Sequence, residues 1–413
     1  MQNAVAVIDM KAFYASEECI ERGLDPFTTP LVVCDPTRGK STIVLSVTPF
    51  LKKMGIPSRC RRKELPQING LIIAQPRMEH YVQKSAEIIS IVTDMFGEDD
   101  IHVYSIDEFF VNLTPYLKMY GCTPYQLVKK IQDTIFTKTG LTTAAGLSYN
   151  MLLAKVALDN DAKKKPPYIA QWNKADIKNK LWKITPLSKM WGISFGYEKK
   201  LNELGINTVG DLANSDKDFL KKKFGIMGEQ LWEHANGIDE TNIREKYVPK
   251  ETSISIGQVL FKDYSQKEAK LIVKEMADDL CMRLRERNQM TKRIGLAIGY
   301  SVEVGGGFSH FVTLDYPIDE TKQISKELLK LFDMYCENLP IRRINLSLSK
   351  LQSNNYIQIL LSENAYLSKK RDLNKVMDLL KNRYGKNIVL RGSSLLEEST
   401  AKERHNQIGG HHR

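Results

Sequence analysis

The chain has 413 residues, of which 42% are hydrophobic and 26% are charged. This length exceeds one ordinary core, so two to four domains are expected, and the composition excludes a largely disordered protein. Lys and Arg number 60 against 49 Asp and Glu, which gives a formal charge of +11. Such an excess favours a polyanionic partner such as nucleic acid, although simple solubility explains it equally well.

The cysteines are scattered singly, without a C-x-x-C pair, so neither a zinc site nor a disulfide framework is indicated. The first residues enter an apolar run without a basic leader. No run approaches the ~18 consecutive apolar residues of a membrane span. We therefore expect a soluble, cytoplasmic protein with no membrane partner.

The first 150 residues predict the order strand, helix, two strands, helix, strand, with an insertion after the first helix. The apolar run at 5–8 predicts a buried strand that ends at Asp9, and a hairpin carries Asp107 and Glu108 at its turn. The other predicted elements are a helix through 21, strands at 31–34 and 43–47, helices at 50–54 and 78–96, hairpin strands at 101–104 and 109–113, a helix over 123–140 and a strand at 141–147. This is the split βαβ order of ferredoxin-like domains.

The remaining residues predict two further modules. From 165 to 245 the chain is Lys-rich and helical, without a strand pattern. From 251 a second βαββαβ order follows, with strands at 253–261, 293–302, 308–314 and 344–351 and helices over 267–287 and up to 335. A surface helix is predicted at 369–384, and a mobile end that includes Gly409-Gly410 is predicted beyond it.

Asp9, Asp107 and Glu108 are the candidate catalytic residues. Phosphoryl transfer is commonly assisted by two divalent ions about 3.5–4 Å apart, which clamp the attacking and leaving oxygens. Magnesium takes hard oxygen ligands, so two or three acids and a backbone carbonyl suffice. Taken singly, however, an Asp at the end of a strand is more often a turn residue.

The residues around these acids strengthen the signal. Residues 9–16 (DMKAFYAS) and 105–108 (SIDE) closely resemble the two signature motifs of Y-family DNA polymerases. A non-acidic residue, Lys11, two positions after the leading Asp resembles the UmuC-like branch of that family. The resemblance implies template-directed, error-tolerant DNA synthesis, with two Mg²⁺ ions, or Mn²⁺, held by Asp9, Asp107, Glu108 and the carbonyl of Met10.

The same resemblance assigns nucleotide-binding roles to side chains near the motifs. Tyr14 is expected to be the steric gate that excludes a ribose 2′-hydroxyl, with Phe13 as packing; without the motif, both would be ordinary core aromatics. Pro49 replaces a tyrosine that reaches the triphosphate in many relatives, so we expect modest nucleotide affinity. The residues expected to contact the triphosphate are Ser46, Lys52 and Lys163, with Lys164 as the alternative if the register shifts by one.

Three further regions are candidates for contact with DNA or a protein partner. Residues 191–196 resemble a helix-hairpin-helix, in which amides near Gly192 and Gly196 contact phosphate. The last sheet module corresponds to the family's little finger domain. Residues 356–361 loosely resemble a clamp-binding peptide, or form an edge strand. The basic pairs of the sheet module, which bind phosphates or protect strand edges, are Lys292, Arg293, Arg342 and Arg343.

The resemblance implies an α+β multidomain protein with the right-hand architecture of polymerases. We expect a ferredoxin-like palm at 1–22 and 76–165, small fingers at 23–75, a helical thumb with a helix-hairpin-helix at 166–245, a βαββαβ little finger at 246–355 and a C-terminal tail at 356–413. The implied partners are primer-template DNA and deoxyribonucleoside triphosphates, with a sliding clamp and a recombinase filament as further candidates. The implied process is DNA repair or the SOS response.

Three other functions share features with this sequence. Gly39-Lys40-Ser41 resembles the end of a phosphate-binding P-loop, but Cys34 stands where the loop needs its first glycine, which excludes an ATPase. A non-catalytic DNA-binding repair factor with the same fold is the main alternative, and the presence of all three acids argues against it. A nucleotide cyclase shares a ferredoxin-like core and paired metals but needs no DNA-binding helical domain.

Overall fold

The structure is a computed structural model that describes residues 3–245, 248–249, 251–354 and 364–413. It divides into two compact units, the first consisting of Met1–Lys246 with His411–Arg413 and the second of Tyr247–Gly410. Among the helices of the described ranges, none has both the length and the apolar character needed to cross a membrane.

The first unit contains two sheets and a helical segment. Its strands are β1 (Val5–Met10), β2 (Leu31–Val33), β3 (Ser46–Val47), β4 (Ile72–Ala74), β5 (Ile101–Val103), β6 (Glu108–Asn112), β7 (Thr143–Ser148) and β8 (Ile169–Gln171). Its helices are α1 (Phe13–Ile20), α2 (Pro49–Lys53), α3 (Met78–Thr93), α4 (Leu117–Tyr120), α5 (Pro124–Thr139), α6 (Met151–Asn160), α7 (Lys174–Asn179), α8 (Phe195–Asn202), α9 (Val209–Ala213), α10 (Lys217–Phe224) and α11 (Ile226–Ala235).

The larger sheet has the strand order β5-β6-β1-β7-β8. Its central strand β1 pairs antiparallel with β6 on one side and with β7 on the other. Because both faces of β1 are covered, its residues Val5–Ile8 are buried, as the unbroken apolar run predicts. The predicted ferredoxin-like order is confirmed for β1, β5, β6 and β7.

Gly146 allows α6 to pack closely on β7. A Cβ built at this position would lie 1.9 Å from the carbonyl oxygen of Ala154 and 2.7 Å from the amide nitrogen of Leu158. Both atoms belong to the backbone of α6, so no side-chain movement would relieve the clash. The separation between this helix and the sheet therefore depends on the absence of a side chain at 146.

The strand β8 lies within the segment predicted to be helical, and that prediction is wrong at its start. β8 pairs parallel with β7 and adds a fifth strand to the larger sheet. Trp172, which follows β8, is 3% exposed and donates its ring N–H to Asp161 at 2.8 Å. Three residues among many lysines give too short an alternation to be recognised from the sequence.

The insertion after α1 forms the smaller sheet, in the order β3-β2-β4. The strand predicted at 43–47 is shorter than expected: only Ser46–Val47 belong to the sheet, and Ile43 makes a single bridge to Arg61. Pro49 stands at the first position of α2, where its missing N–H leaves no helical hydrogen bond unmade.

The second unit has the predicted βαββαβ order, which is confirmed. Its elements are β9 (Ser253–Tyr264), α12 (Gln266–Glu286), β10 (Gln289–Tyr300), β11 (Gly307–Ile318), α13 (Thr321–Tyr335) and β12 (Ile341–Ser353). The sheet is antiparallel throughout, in the order β11-β10-β12-β9. Apolar residues of β10 and β12 form one core with α12 and α13, so one face of this sheet is covered.

The C-terminal residues of the second unit fold against α12, so the prediction of a mobile end is wrong for them. Helix α14 (Asn364–Tyr384) includes the helix predicted at 369–384, but its Lys381 is buried and pairs with Asp278 at 2.8 Å. The second unit also contains α15 (Ala401–His405) and the two-residue strand β13 (Gln407–Ile408), whereas the two-residue strand β14 (His411–His412) belongs to the first unit. The segment predicted at 356–361 lies outside the described residues.

Asp279 of α12 is the centre of this packing. Its carboxylate accepts hydrogen bonds from Arg404 at 2.8 Å and from His405 at 2.7 Å. Burial opposes ionisation of Asp279, but the hydrogen bond from His405 and the charge of Arg404 outweigh it and lower its pKa from 3.8 to about 2. A carboxyl with a lowered native pKa stabilises the fold above its unfolded pKa and loses this contribution as the pH falls.

We predict that Asp279→Asn destabilises the second unit at pH 7 by roughly 2 kcal/mol, because a shift of one pKa unit corresponds to about 1.4 kcal/mol. The difference from the unmodified protein should shrink as the pH falls from 4 to 2. Urea unfolding at several pH values measures it. Asp333→Asn, at a carboxylate whose side chain is 59% exposed, is the control and should change little.

Candidate active site

The register of β1 and β6 brings the three predicted acids together. Asp9 pairs directly with Glu108 across the two strands. Asp107 precedes β6, and its carbonyl oxygen accepts the N–H of Met10 at 2.9 Å. The end of β1 and the start of β6 thus lie at the same edge of the sheet, with Asp9, Asp107 and Glu108 gathered there.

Two lysines that the sequence analysis did not place together neutralise this edge. Lys155 Nζ lies 2.7 Å from Glu108 Oε2, and Lys163 Nζ lies 2.9 Å from Asp9 Oδ2. Burial raises the pKa of Asp9, and the charge of Lys163 opposes the rise. Burial likewise raises the pKa of Glu108 against the charge of Lys155. The lysines therefore offset part of the cost of burying carboxylates side by side.

The acids fit divalent cations. Glu108 is 6% exposed, and its Oε1 has no hydrogen-bond partner. Asp107 keeps one oxygen in place by accepting a hydrogen bond from Ser105 Oγ at 2.8 Å. A buried carboxylate oxygen without a partner is costly, and a hard cation satisfies it. The set of oxygen donors matches the preference of Mg²⁺ or Mn²⁺.

A cavity of about 990 Å³ opens beside the acids. Asp9 and Asp107 form part of its wall. The predicted nucleotide-binding residues all line it, although they come from three separate parts of the chain: Phe13, Tyr14, Ser46, Lys52 and Lys163, together with Met10 and the alternative Lys164. The structure thus places these residues around one space large enough for a nucleotide.

Tyr14 is supported from behind by a residue that the sequence analysis missed. Its ring stacks on that of Tyr81, with centroids 4.5 Å apart and planes 19° apart. Tyr81 is buried and donates its hydroxyl hydrogen to Glu18 Oε1 at 2.7 Å. Phe13 is 2% exposed and packs in the core. No sequence motif marks Tyr81, which lies far from Tyr14 along the chain.

Ser46, Lys52 and Lys163 differ in how they are held. Ser46 Oγ lies 3.3 Å from the carbonyl oxygen of Ala12, so the hydroxyl ties β3 to the turn before α1. Burial lowers the pKa of Lys52. Lys163 Nζ contacts both Asp9 and Asp159, each at 2.9 Å. Lys164, whose side chain is 69% exposed, lies 3.9 Å from Asp161, so the geometry favours Lys163.

Lys11, like Lys155, is a cation to which the sequence analysis assigned no role in the site. Its Nζ donates to the carbonyl oxygen of Lys163 at 3.0 Å and lies 3.8 Å from the centre of the Tyr168 ring. Burial, followed by the charge of Lys52, lowers the pKa of Lys11 to about 8. The absence of an acid at position 11 was the available signal for such a role. The residues that Lys11 contacts, however, lie more than 150 residues away along the chain.

The predicted helix-hairpin-helix glycines flank the start of α8. Ser194 is its N-cap, and its Oγ accepts from the Tyr197 N–H at 3.4 Å. Gly192 has a φ of +92°, a conformation that favours glycine. A Cβ at Gly196 would meet only Ser194 Oγ, at 3.9 Å, so packing does not require glycine there. The missing side chain leaves the N-terminus of α8 accessible.

The four basic residues of the second unit do not form one group. Arg293 and Arg343 alternate with the core residues Ile294 and Ile344, so they project from the sheet face opposite α12 and α13. Arg293 also lies over the ring of Phe311, 4.5 Å from its centre. Lys292 sits at an irregular step in the pairing of β10, and Arg342, at a similar step in β12, lies 3.3 Å from Asp263.

Comparison with known proteins agrees with this architecture. The profile of the impB/mucB/samB family matches residues 8–159, and that of the impB/mucB/samB family C-terminal domain matches 251–361. A profile described as DNA polymerase-iota, thumb domain matches 192–239. These three regions contain, respectively, the acids, the second sheet and the helix-hairpin-helix.

The similar proteins include full-length relatives. The chain is 37% identical to UvrX of Bacillus subtilis (strain 168), whose name refers to UV-damage repair, over 98% of this chain and 97% of that protein. It is 32% identical to DNA polymerase IV 2 of the same organism, over 100% and 99% of the two chains. The solved Y-family DNA polymerase chimera Dbh-Dpo4(243-245)-Dbh shares the fold, with a TM-score of 0.68 at 21% identity, over 85% of this chain and 100% of that one.

The fold, the acidic edge and the matching profiles define a DNA-directed DNA polymerase, an enzyme that binds DNA and nucleotides and uses divalent metal ions. On the relatedness to DNA polymerase IV 2 and the matching family profiles, the chain belongs to the Y family of DNA polymerases. The resemblance of the motifs is therefore confirmed, as is the right-hand fold class with palm, fingers, thumb and little finger.

We predict that Lys155→Met lowers the free energy of unfolding of the first unit by about 3 kcal/mol at pH 8, because removing one partner leaves a buried charge uncompensated. The loss should become smaller as the pH falls, because burial raises the pKa of Glu108 and protonation removes that charge. Urea unfolding measures both values. Lys129→Met, which removes an exposed pair with Asp133, is the control; equal losses in the two variants would contradict the role of the buried pair.

Proposed function

We propose that this polymerase extends a primer 3′ end by two-metal phosphoryl transfer at Asp9, Asp107 and Glu108, and that it does so on damaged as well as intact templates. The observation that carries the proposal is the assembly of these acids at one edge of the sheet, where Asp9 and Asp107 line the large cavity and the buried Glu108, paired with Asp9, keeps one carboxylate oxygen without a partner. Two Mg²⁺ ions, or Mn²⁺, bound there and at the Met10 carbonyl would neutralise charge on the attacking and leaving oxygens.

The residues of the chain itself bind and orient the nucleotide. Lys52 and Lys163 line the cavity from two separate segments of the chain, and their positive charges would bind the triphosphate. Lys52 acts as a point charge, and Pro49 offers no hydroxyl, so nucleotide affinity is expected to be modest. Tyr14, stacked on Tyr81, would exclude a ribose 2′-hydroxyl, because its ring has no room to retreat into the core.

DNA would be held by features that recognise the phosphate backbone. In the thumb, the accessible N-terminus of α8 near Gly192 and Gly196 supports phosphate contact. In the little finger, Arg293 and Arg343 lie on the face that the helices leave uncovered, and this supports salt-sensitive binding without sequence preference. Arg342 and Lys292, at irregular steps of their strands, are the weaker candidates.

Tolerance of damaged bases is supported by two features of a different kind. One relative carries a name that refers to UV-damage repair, which favours a role in DNA repair or the SOS response. The second is the volume of the cavity, about 990 Å³, since a distorted base pair would need more space than a regular one. A sliding clamp, a recombinase filament and a cytoplasmic location are proposed from the family resemblance alone. No observation favours a non-catalytic DNA-binding factor, since all three acids are assembled.

We predict that Asp107→Ala and Glu108→Gln each reduce primer extension with Mg²⁺ by about a thousandfold, since several kcal/mol of charge stabilisation is lost and each 1.4 kcal/mol is about a factor of ten. Binding of primer-template DNA, measured by fluorescence anisotropy, should change little. Asp94→Ala, at an exposed acid on the same unit, should extend normally. Undiminished extension by both active-site variants would refute the assignment.

We predict that Tyr14→Ala admits ribonucleotides, lowering the ratio of kcat/KM for deoxyribonucleotides over ribonucleotides by at least about tenfold, because the ring that collides with the 2′-hydroxyl is gone. Single-nucleotide insertion assays with each substrate give the ratio. Phe136→Ala, an exposed aromatic of α5, is the matched truncation and should leave the ratio unchanged. A Tyr14→Ala protein that still rejects ribonucleotides would remove the gate from this account.

A further inference from the structure

Lys11 leaves the end of β1 in a direction set by its backbone. The Lys11 N–H donates to the carbonyl oxygen of Thr142 at 2.9 Å, and the Lys11 carbonyl oxygen accepts from Ser16 Oγ at 2.7 Å. Ala12, the next residue, has a φ of +51° that turns the chain into α1. The side chain is thus aimed from a constrained turn, and its ammonium crosses the cavity wall to the segment 162–168.

Both contacts of the Lys11 ammonium are with that segment. One is the carbonyl oxygen of Lys163, at 3.0 Å, and the other is the ring of Tyr168, at 3.8 Å from its centre. Tyr168 is itself fixed to the sheet, because its carbonyl oxygen accepts from the Ala145 N–H at 2.7 Å. Lys11 therefore ties the end of β1 to the backbone of Lys163, using Tyr168 as a second support.

The charges explain why such a tie is needed. Lys11, Lys52 and Lys163 line the same cavity, and their partly buried ammonium groups repel one another more strongly than they would in water. A carbonyl oxygen and the face of an aromatic ring both stabilise a cation. The Lys163 carbonyl oxygen and the Tyr168 ring stabilise the charge of Lys11 at the cavity wall, whereas Lys163 Nζ lies 2.9 Å from Asp9.

We propose that Lys11 is a positioning residue for nucleotide binding, which holds the segment 162–168 so that the Lys163 ammonium lies beside the catalytic acids. The inference rests on the proposed function, because it requires that Lys163 bind the triphosphate. In this role Lys11 acts together with the ring of Tyr168, which its ammonium contacts. An acid at position 11 would be repelled by both the Lys163 carbonyl oxygen and the face of the Tyr168 ring.

Single-nucleotide insertion kinetics test the proposal. Lys11→Met keeps the length of the side chain without its charge and should raise KM for the nucleotide about tenfold, the effect of losing one charge-assisted hydrogen bond, with kcat changed less than threefold. Lys11→Arg, which can still donate to the carbonyl and cover the ring, should restore KM to within about threefold. Lys11→Asp should be worse than Lys11→Met.

The double variant decides whether Lys11 acts through Lys163. Lys163→Met should raise KM at least as much as Lys11→Met, and the Lys11→Met, Lys163→Met protein should be no worse than Lys163→Met alone. Multiplied effects would mean that Lys11 touches the nucleotide independently, and would overturn the proposal. Tyr168→Leu should resemble a mild Lys11→Met, whereas Tyr168→Phe should behave as the unmodified protein.

Controls distinguish the proposed role of Lys11 from the proposed role of Lys163, on which it rests. Lys130→Met removes a lysine that covers the Tyr120 ring at 4.5 Å outside the cavity, and should leave KM unchanged. The melting temperature and DNA affinity of Lys11→Met should match those of the unmodified protein, which a merely structural role for Lys11 would not allow. An unaltered KM in Lys163→Met would refute the role of Lys163 itself, whereas a defect in Lys163→Met with none in Lys11→Met would overturn only the inference about Lys11.

Discussion

The pairing of β1 with β6 is the constraint on which the site depends. In its register, Asp9 lies opposite Glu108 and Asp107 stands at the turn beside them. Side chains alternate between the two faces of a strand, so a slip of one residue would send one acid to the opposite face. Such a slip would also displace the buried apolar residues of these strands, so it would cost free energy of folding. Hydrophobic packing far from the chemistry therefore holds like charges together against their repulsion.

Three parts of the chain contribute lysines to the nucleotide cavity. Lys11 comes from the exit of β1, Lys52 and Lys53 from the inserted α2, and Lys163 and Lys164 from the turn after α6. None of these segments could build the positive wall alone. A single ammonium would be neutralised by Asp9, whereas the five lysines outnumber the lining acids Asp9 and Asp107 and leave net positive charge for a triphosphate. The insertion between α1 and α3 therefore forms part of the binding surface in addition to its own small sheet.

Much of the fold was predictable because its signals are local. The apolar run before Asp9, the capped helices and the hairpin acids each occupy a few neighbouring residues, and the motifs named the family. Strand β8 was missed because three residues carry no clear alternation, and α15 because its stability comes from Asp279, more than 120 residues away. In the site, Lys155, Tyr81 and the Lys11–Tyr168 contact were not foreseen for the same reason: their partners are brought close only by the tertiary structure.

Gly146 shows how far the chemistry reaches into the scaffold. It touches no substrate, yet the close approach of α6 that it permits sets where Lys155 meets Glu108. Adding even a methyl group would lift the helix and withdraw the ammonium from the carboxylate. Position 146 therefore constrains the chemistry although it lies behind the site and not within it.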